Sequence, residues 1–96
     1  MYFVLNGITF VWNGAKAQVN PQKHDGITFH QAAEAFFDPF LVVVDASRKD
    51  EVRDAIIGLD KRWKLLYVVF IESEDDMIRI ISARKATRKE REYYET

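Results

Sequence analysis

Ile78-Arg79-Ile80-Ile81-Ser82-Ala83-Arg84 is the stretch from which the rest of this chain can be placed. Apolar and charged residues alternate over its first three positions and a β-branched pair follows, the pattern of a mostly buried strand that carries an arginine on one face. Downstream comes the basic run Arg84-Lys85-Ala86-Thr87-Arg88-Lys89-Glu90-Arg91. Within it, Thr87 and Glu90 have capping-box spacing, which predicts a helix from Arg88 to about Tyr94. Upstream lies the acidic segment Glu72-Ser73-Glu74-Asp75-Asp76, a loop, preceded by Lys64 to Glu72. That segment is almost continuously apolar and predicts a central strand covered on both faces.

The first half of the chain supplies the remaining elements. Tyr2 to Leu5 and Ile8 to Trp12 flank Asn6-Gly7, a pair suited to the positive φ angles of a tight hairpin turn. Asn13 is a helix cap for a segment from Gly14 to Gln18, extending towards Lys23. Pro21 then predicts either a stop near Val19 or a restart at the proline. Asp25-Gly26 reads as a turn, and Thr28 with Gln31 as a capping box that opens a second helix. Its stripe, Phe29, Ala32, Ala33, Phe36 and Phe37, has the spacing of a helix laid on a sheet, with Asp38-Pro39 ending it. Leu41 to Val44 and Val52 to Leu59 read as further strands, joined by the polar connection Ala46 to Glu51. The expected order is ββααββββα. With no regular β-α-β alternation, this is an α+β fold: a mainly antiparallel sheet, a helical pair and a C-terminal helix.

Ninety-six residues, of which 48% are hydrophobic and seven are Phe, suit one domain over residues 1–96. A domain of this size leaves much of its surface uncovered, so a protein partner can add to its stability. The chain has no cysteine, hence no disulfide and no thiolate metal site. No apolar run approaches the roughly 18–20 residues that span a bilayer, and the start lacks the pattern of a signal peptide, so a cytoplasmic protein without membrane contact is expected. The formal charge is -1, which gives no argument for nucleic-acid binding in bulk. The distribution does, because Arg79, Arg84, Lys85, Arg88, Lys89 and Arg91 follow one another with only Glu90 to oppose them.

A set of residues in fixed order carries a family resemblance. Phe10-x-Trp12-Asn13, Lys16-Ala17, Asn20, Lys23-His24, Gly26-Ile27-Thr28-Phe29, Ala33-Glu34, Phe37-Asp38-Pro39, Ile57-Gly58, Leu65-Leu66-x-Val68, Glu72 and Arg79-Ile80-Ile81-Ser82-Ala83-Arg84 resemble the BrnT toxins, from about Phe10 to Tyr93. Two departures, Asp25 between His24 and Gly26 and the proline at 21, fall beside Lys23 and His24. The resemblance implies a RelE-like fold and a growth-inhibiting endoribonuclease of a type II toxin–antitoxin system. It also implies neutralisation by a co-encoded BrnA-like antitoxin, which would supply any contact with DNA, and RNA as substrate with no cofactor.

On that resemblance the catalytic candidates are Arg79, Arg84, His24 and Lys23, and the RNA-binding candidates are Lys16, Lys85, Arg88, Lys89 and Arg91. Metal-independent cleavage needs a base for the 2′-hydroxyl, an acid for the leaving oxygen and cations to offset charge at phosphorus. Arg79 is the expected clamp, because a guanidinium holds two phosphate oxygens at once. Its alternative is a cross-strand pair with Glu72 or Asp76. Arg84, five residues on, faces the other side of a regular strand and either reaches substrate at the strand end or caps the sheet. His24 is either an acid–base group or a helix-end cap. Lys16 and Lys23 form one wall of a phosphate groove or a solvated helix face, and the same choice applies to Arg88, Lys89 and Arg91. Trp12 and Tyr67 belong to the core or stack on bases, while Trp63 is the aromatic expected at the surface. Of Tyr93 and Tyr94, one packs the last helix on the sheet and the other is left as a proton donor. His24 and His30 lack the close spacing of metal ligands, so no metal site is expected. A non-catalytic binding module, acting through protein pairing or autoregulation, is the competing reading of the whole chain.

Overall fold

In a computed structural model, which describes residues 1–73 and 75–96, the elements follow the expected order. They are β1 (Tyr2–Leu5), β2 (Ile8–Val11), α1 (Gly14–Lys23), α2 (Phe29–Ala35), β3 (Val42–Asp45), β4 (Asp54–Leu59), β5 (Leu65–Glu72), β6 (Ile78–Lys85) and α3 (Arg88–Glu95). Glu74, in the acidic loop, lies outside the described residues. Local signals set the boundaries. Asn6 and Gly7 both have positive φ, at 50° and 82°, as the hairpin turn between β1 and β2 requires. Thr28 and Thr87 each accept a backbone N–H from their third following residue, and Gln31 and Glu90 reach back to complete both capping boxes.

Two expectations about the helices change. α1 neither stops near Val19 nor restarts at Pro21 but continues through the proline to Lys23. Pro21 has no N–H to give the Ala17 carbonyl, and the helix is closed beyond it by His24 N–H donating to Asn20 O and Gly26 N–H to Pro21 O. α2 ends at Ala35, before Asp38-Pro39, although a turn carries Phe36 and Phe37 onto the same apolar surface.

The six strands lie in the order β1-β2-β6-β5-β4-β3. Four of the neighbouring pairs are antiparallel, but β2 and β6 run parallel, through Phe10 opposite Ile78 and Val11 opposite Arg79. The sheet is therefore mixed. Pairing β2 with β6 leaves the last strand central and puts β1 and β3 at the edges.

α2 covers one face. Phe29, Ala32, Ala33 and Ala35 pack with Phe10, Ile56, Leu66, Val68, Phe70, Ile80 and Ala83 in one buried cluster. Each large side chain fully buried there contributes about 1.5–3 kcal/mol. The helix approaches the sheet so closely that a Cβ on Gly58 would sit 2.7 Å from the carbonyl oxygen of Ala35. The opposite face of β5, formed by Tyr67, Val69 and Ile71, is only half-buried, so the central strand is not covered on both sides as its composition suggests.

A bulge sets the geometry of that second face. Phe70 pairs with Ile80 but Val69 pairs with Ser82, which leaves Ile81 as an extra residue in β6. The insertion turns the strand by one step, so Arg79 (opposite Ile71) and Arg84 (opposite Tyr67) point from the same face. The expectation that they face opposite sides fails because it assumed unbroken alternation.

Candidate functional site

β2 accompanies β6 only as far as Arg79 and then turns away at Trp12. The edge of β6 left behind is closed by α1. Asn20, 5% exposed, donates from Nδ2 to the carbonyls of Ala83 and Ile27, both at 2.8 Å, and accepts the Ala83 N–H at 3.4 Å. One side-chain amide thus substitutes for a neighbouring strand and fixes α1 beside the half-buried face. Asn13 caps the start of that helix through Lys16 N–H, at 3.0 Å.

A cleft of about 650 Å³ lies between α1 and the connection from β3 to β4, floored by β5 and β6. Lys16, Lys23 and His24 form the α1 wall, Ser47, Arg48 and Arg53 the other, and Tyr67, Val69, Ile81, Ser82 and Arg84 the floor. Lys16 and Lys23 share a wall because seven residues are nearly two helical turns, about 10.5 Å along α1. The opposite wall is ordered by Asp45, whose carboxylate accepts both the N–H (3.0 Å) and the hydroxyl (2.7 Å) of Ser47. The Ser47 hydroxyl in turn accepts Arg53 N–H. Arg48 and Glu51 exchange backbone hydrogen bonds, which tightens the loop between them.

Electrostatically the cleft is one-sided. Five Lys or Arg residues line it and, among the described residues, no Asp or Glu does. Two of the five are held by carboxylates from outside the lining: Arg53 by Glu51, and Arg84 by Glu90 in a two-pronged pair at 2.7 and 2.8 Å. The Arg84 guanidinium also lies over the ring of Tyr67, 4.2 Å from its centroid. The hydrogen bond from Arg84 to Glu90 raises the arginine's pKa further. For Glu90 burial acts upward, yet bonds from Arg84 and Thr87 together hold its carboxyl below the ordinary range. Acidic side chains gather elsewhere, with Glu34, Asp38 and Asp60 around a smaller cavity beside Trp63.

The structure thus brings Arg84, Lys16, Lys23 and His24 together. The half-buried His24 is the cap residue of α1 and also lines the cleft. Arg79 is exposed on the same face, about 13 Å from Arg84 by strand rise, and does not line the cleft. Neither Glu72 nor Asp76 pairs with it among the described residues. Lys85, opposite Leu66, is on the α2 side of the sheet. Arg88, Lys89 and Arg91 are exposed on α3, where Lys89 borders a separate cavity with Val44 and Tyr93. Trp12 is core at 3% exposure and Trp63 is 81% exposed. Arg48 and Arg53 were not legible as site residues. Arg48 reads as part of a polar connection and Arg53 as part of the strand expected from Val52, whereas β4 begins at Asp54, and only the strand order carries the two arginines over Tyr67.

α3 is latched at its far end by Tyr94, whose hydroxyl donates to Asp38 Oδ2 at 2.6 Å while Leu59 N–H donates to the same oxygen. Tyr93 remains exposed. Burial, with the hydrogen bond and charge of Asp38, pushes the Tyr94 hydroxyl up to about 12. For Asp38 burial acts upward, but bonds from Tyr94 and from the N–H groups of Leu59 and Phe40 outweigh it and hold the carboxyl below its ordinary value. The signs follow from linkage. The Tyr94 contribution is complete below pH about 10 and is lost as pH rises towards 12, whereas those of Asp38 and Glu90 are complete above the ordinary carboxylate range and are lost in acid. Thermal melts across pH should show the alkaline loss in the native chain, and Tyr94→Phe should be less stable at neutral pH with a flatter profile from 10 to 12. An unchanged alkaline profile in that variant would contradict the latch.

Among the described residues no helix is long and apolar enough to cross a membrane. Comparison with curated proteins returns no match. The family model described as the ribonuclease toxin BrnT of type II toxin–antitoxin systems matches residues 12–90, which takes in α1, the β3–β4 connection, β5, β6 and the start of α3. The chain that builds this cationic cleft belongs to the BrnT family of ribonuclease toxins.

Proposed function

We propose that this chain is a metal-independent endoribonuclease of RelE-like fold, one domain acting in the cytoplasm, whose cleavage of RNA arrests growth until a BrnA-like antitoxin neutralises it. Contact with DNA would come only through that antitoxin. The observation that carries this reading is the cleft itself, in which α1, the β3–β4 connection and β6 aim Lys16, Lys23, Arg48, Arg53 and Arg84 at one space with no carboxylate in its lining among the described residues. Such a lining suits a polyanion and offers no carboxylate to hold a divalent cation.

The proposed chemistry is attack of the 2′-hydroxyl on the adjacent phosphorus with departure of the 5′-oxygen, giving 2′,3′-cyclic phosphate and 5′-hydroxyl ends. His24 exchanges protons with the reacting oxygens, imidazole being the side chain suited to that near neutral pH. Arg84 takes the clamp role over the phosphorus, and Lys23 assists it from the facing wall. Lys16, Arg48 and Arg53 hold flanking phosphates. Arg79 meets the strand further along the same face, and Lys85, Arg88, Lys89 and Arg91 supply longer-range attraction.

The test is binding to a short single-stranded RNA made uncleavable by 2′-deoxy substitution. If Lys16 and Lys23 contact phosphates, their double replacement by alanine should weaken binding and reduce the slope of log K against log salt by about 1.4, at roughly 0.7 per contact. An unchanged slope would remove the α1 wall from the RNA interface.

A further inference from the structure

The pairing of Arg84 with Glu90 leaves a particular part of the guanidinium available. Glu90 occupies the edge formed by Nη1 and Nη2, one carboxylate oxygen to each, and Nη1 also donates to the Lys85 carbonyl at 3.1 Å. The ring of Tyr67 covers one flat side. Among the described residues the donors left over are Nε–H and the second N–H of Nη2. These two are parallel and form the other fork of the same plane, the geometry that matches two oxygens of one phosphate.

Glu90 is tied down in turn. Its Oε1 accepts the Thr87 N–H at 2.9 Å while holding Arg84, so a single carboxylate completes the cap of α3 and orients the guanidinium. Free rotation about the long arginine side chain is thereby removed before any substrate arrives. We propose that Glu90 is a positioning residue for cleavage, holding Arg84 by one edge so that its Nε–Nη2 edge meets the phosphodiester in the cleft. This rests on the assignment of the cleft as the site of RNA cleavage. Glu90 itself touches no reacting atom. Its role is to make the clamp rigid, and misplacement of a reacting group by about 1 Å can cost 10²-fold in rate.

The experiment is single-turnover cleavage at saturating RNA, with affinity measured separately on an uncleavable RNA. Glu90→Ala should slow cleavage by tenfold or more with affinity changed less than threefold, and Glu90→Gln, which keeps one oxygen acceptor, should fall between. Thr87→Ala removes the hydroxyl that accepts Glu90 N–H at 3.2 Å but keeps the Thr87 N–H and both bonds between Glu90 and Arg84, and should cleave within threefold of the native rate. If Glu90→Ala does not fold, Glu90→Gln against Thr87→Ala decides, because both weaken the cap and only the first changes the carboxylate that grips Arg84. Equal rates for those two would overturn the proposal, as would a native rate in Glu90→Ala when Arg84→Ala is inactive; in either case Glu90 serves the helix alone. A native rate in Arg84→Ala would overturn the cleft assignment and this inference with it.

Discussion

Arg84→Ala should lower the rate of RNA cleavage by about 10²–10³-fold, the usual effect of removing one preorganised donor from a developing oxyanion. The magnitude follows from the way the side chain is held. Glu90 grips one edge, Tyr67 supports the plane, and no reorganisation is left to occur at the moment of reaction. Arg84→Lys keeps the charge but loses the planar fork, and should retain RNA affinity while recovering little of the rate. Single-turnover kinetics separate the two quantities. A lysine variant with nearly native rate would mean that Arg84 acts as a point charge, and would move the clamp role towards Arg79.

Asn20 should show the largest effect on stability. Asn20→Leu leaves the carbonyls of Ile27 and Ala83 and the Ala83 N–H without partners in the interior, at about 1–3 kcal/mol for each such group. A total near 3 kcal/mol lowers the melting temperature by roughly 12 °C or more in a domain of this size. Asn20→Asp should be worse, because it replaces the donor to two carbonyls with a negative charge. Both variants should also lose cleavage below their melting temperatures, since α1 carries Lys16, Lys23 and His24. A melting temperature within a few degrees of native for Asn20→Leu would show that α1 is held by other contacts.

Features specified within a few residues were legible in the sequence. Asn6-Gly7 needs only its own backbone freedom to make a hairpin, and the pairs Thr28 with Gln31 and Thr87 with Glu90 complete their caps within one turn. The element order followed from such signals and from hydrophobic periodicity. Lys16 and Lys23 could be placed on one wall because helical spacing alone decides it. What escaped is non-local. The parallel pairing of β2 with β6 joins residues some 68 positions apart, from Phe10 to Ile78, and no local pattern encodes it. The bulge at Ile81 exists only relative to β5, yet it decides that Arg79 and Arg84 share a face. Arg48 lies in a connection whose composition says only that it is polar and Arg53 in a stretch that reads as strand, and both reach the cleft because β4 sits beside β5. Asn20 had a faint signal, a poor helix former in the middle of α1, but its partners, Ile27 and Ala83, become neighbours only on folding.

The most direct measurement is incubation of the purified, antitoxin-free chain with total RNA in excess EDTA, beside Arg84→Ala and Arg79→Ala, followed by analysis of the new ends. The account predicts cleavage by the native chain with 2′,3′-cyclic phosphate ends, loss of that cleavage in Arg84→Ala, and a smaller loss in Arg79→Ala. Intact RNA with folded native protein, or cleavage restored only when a divalent cation is added back, would contradict it.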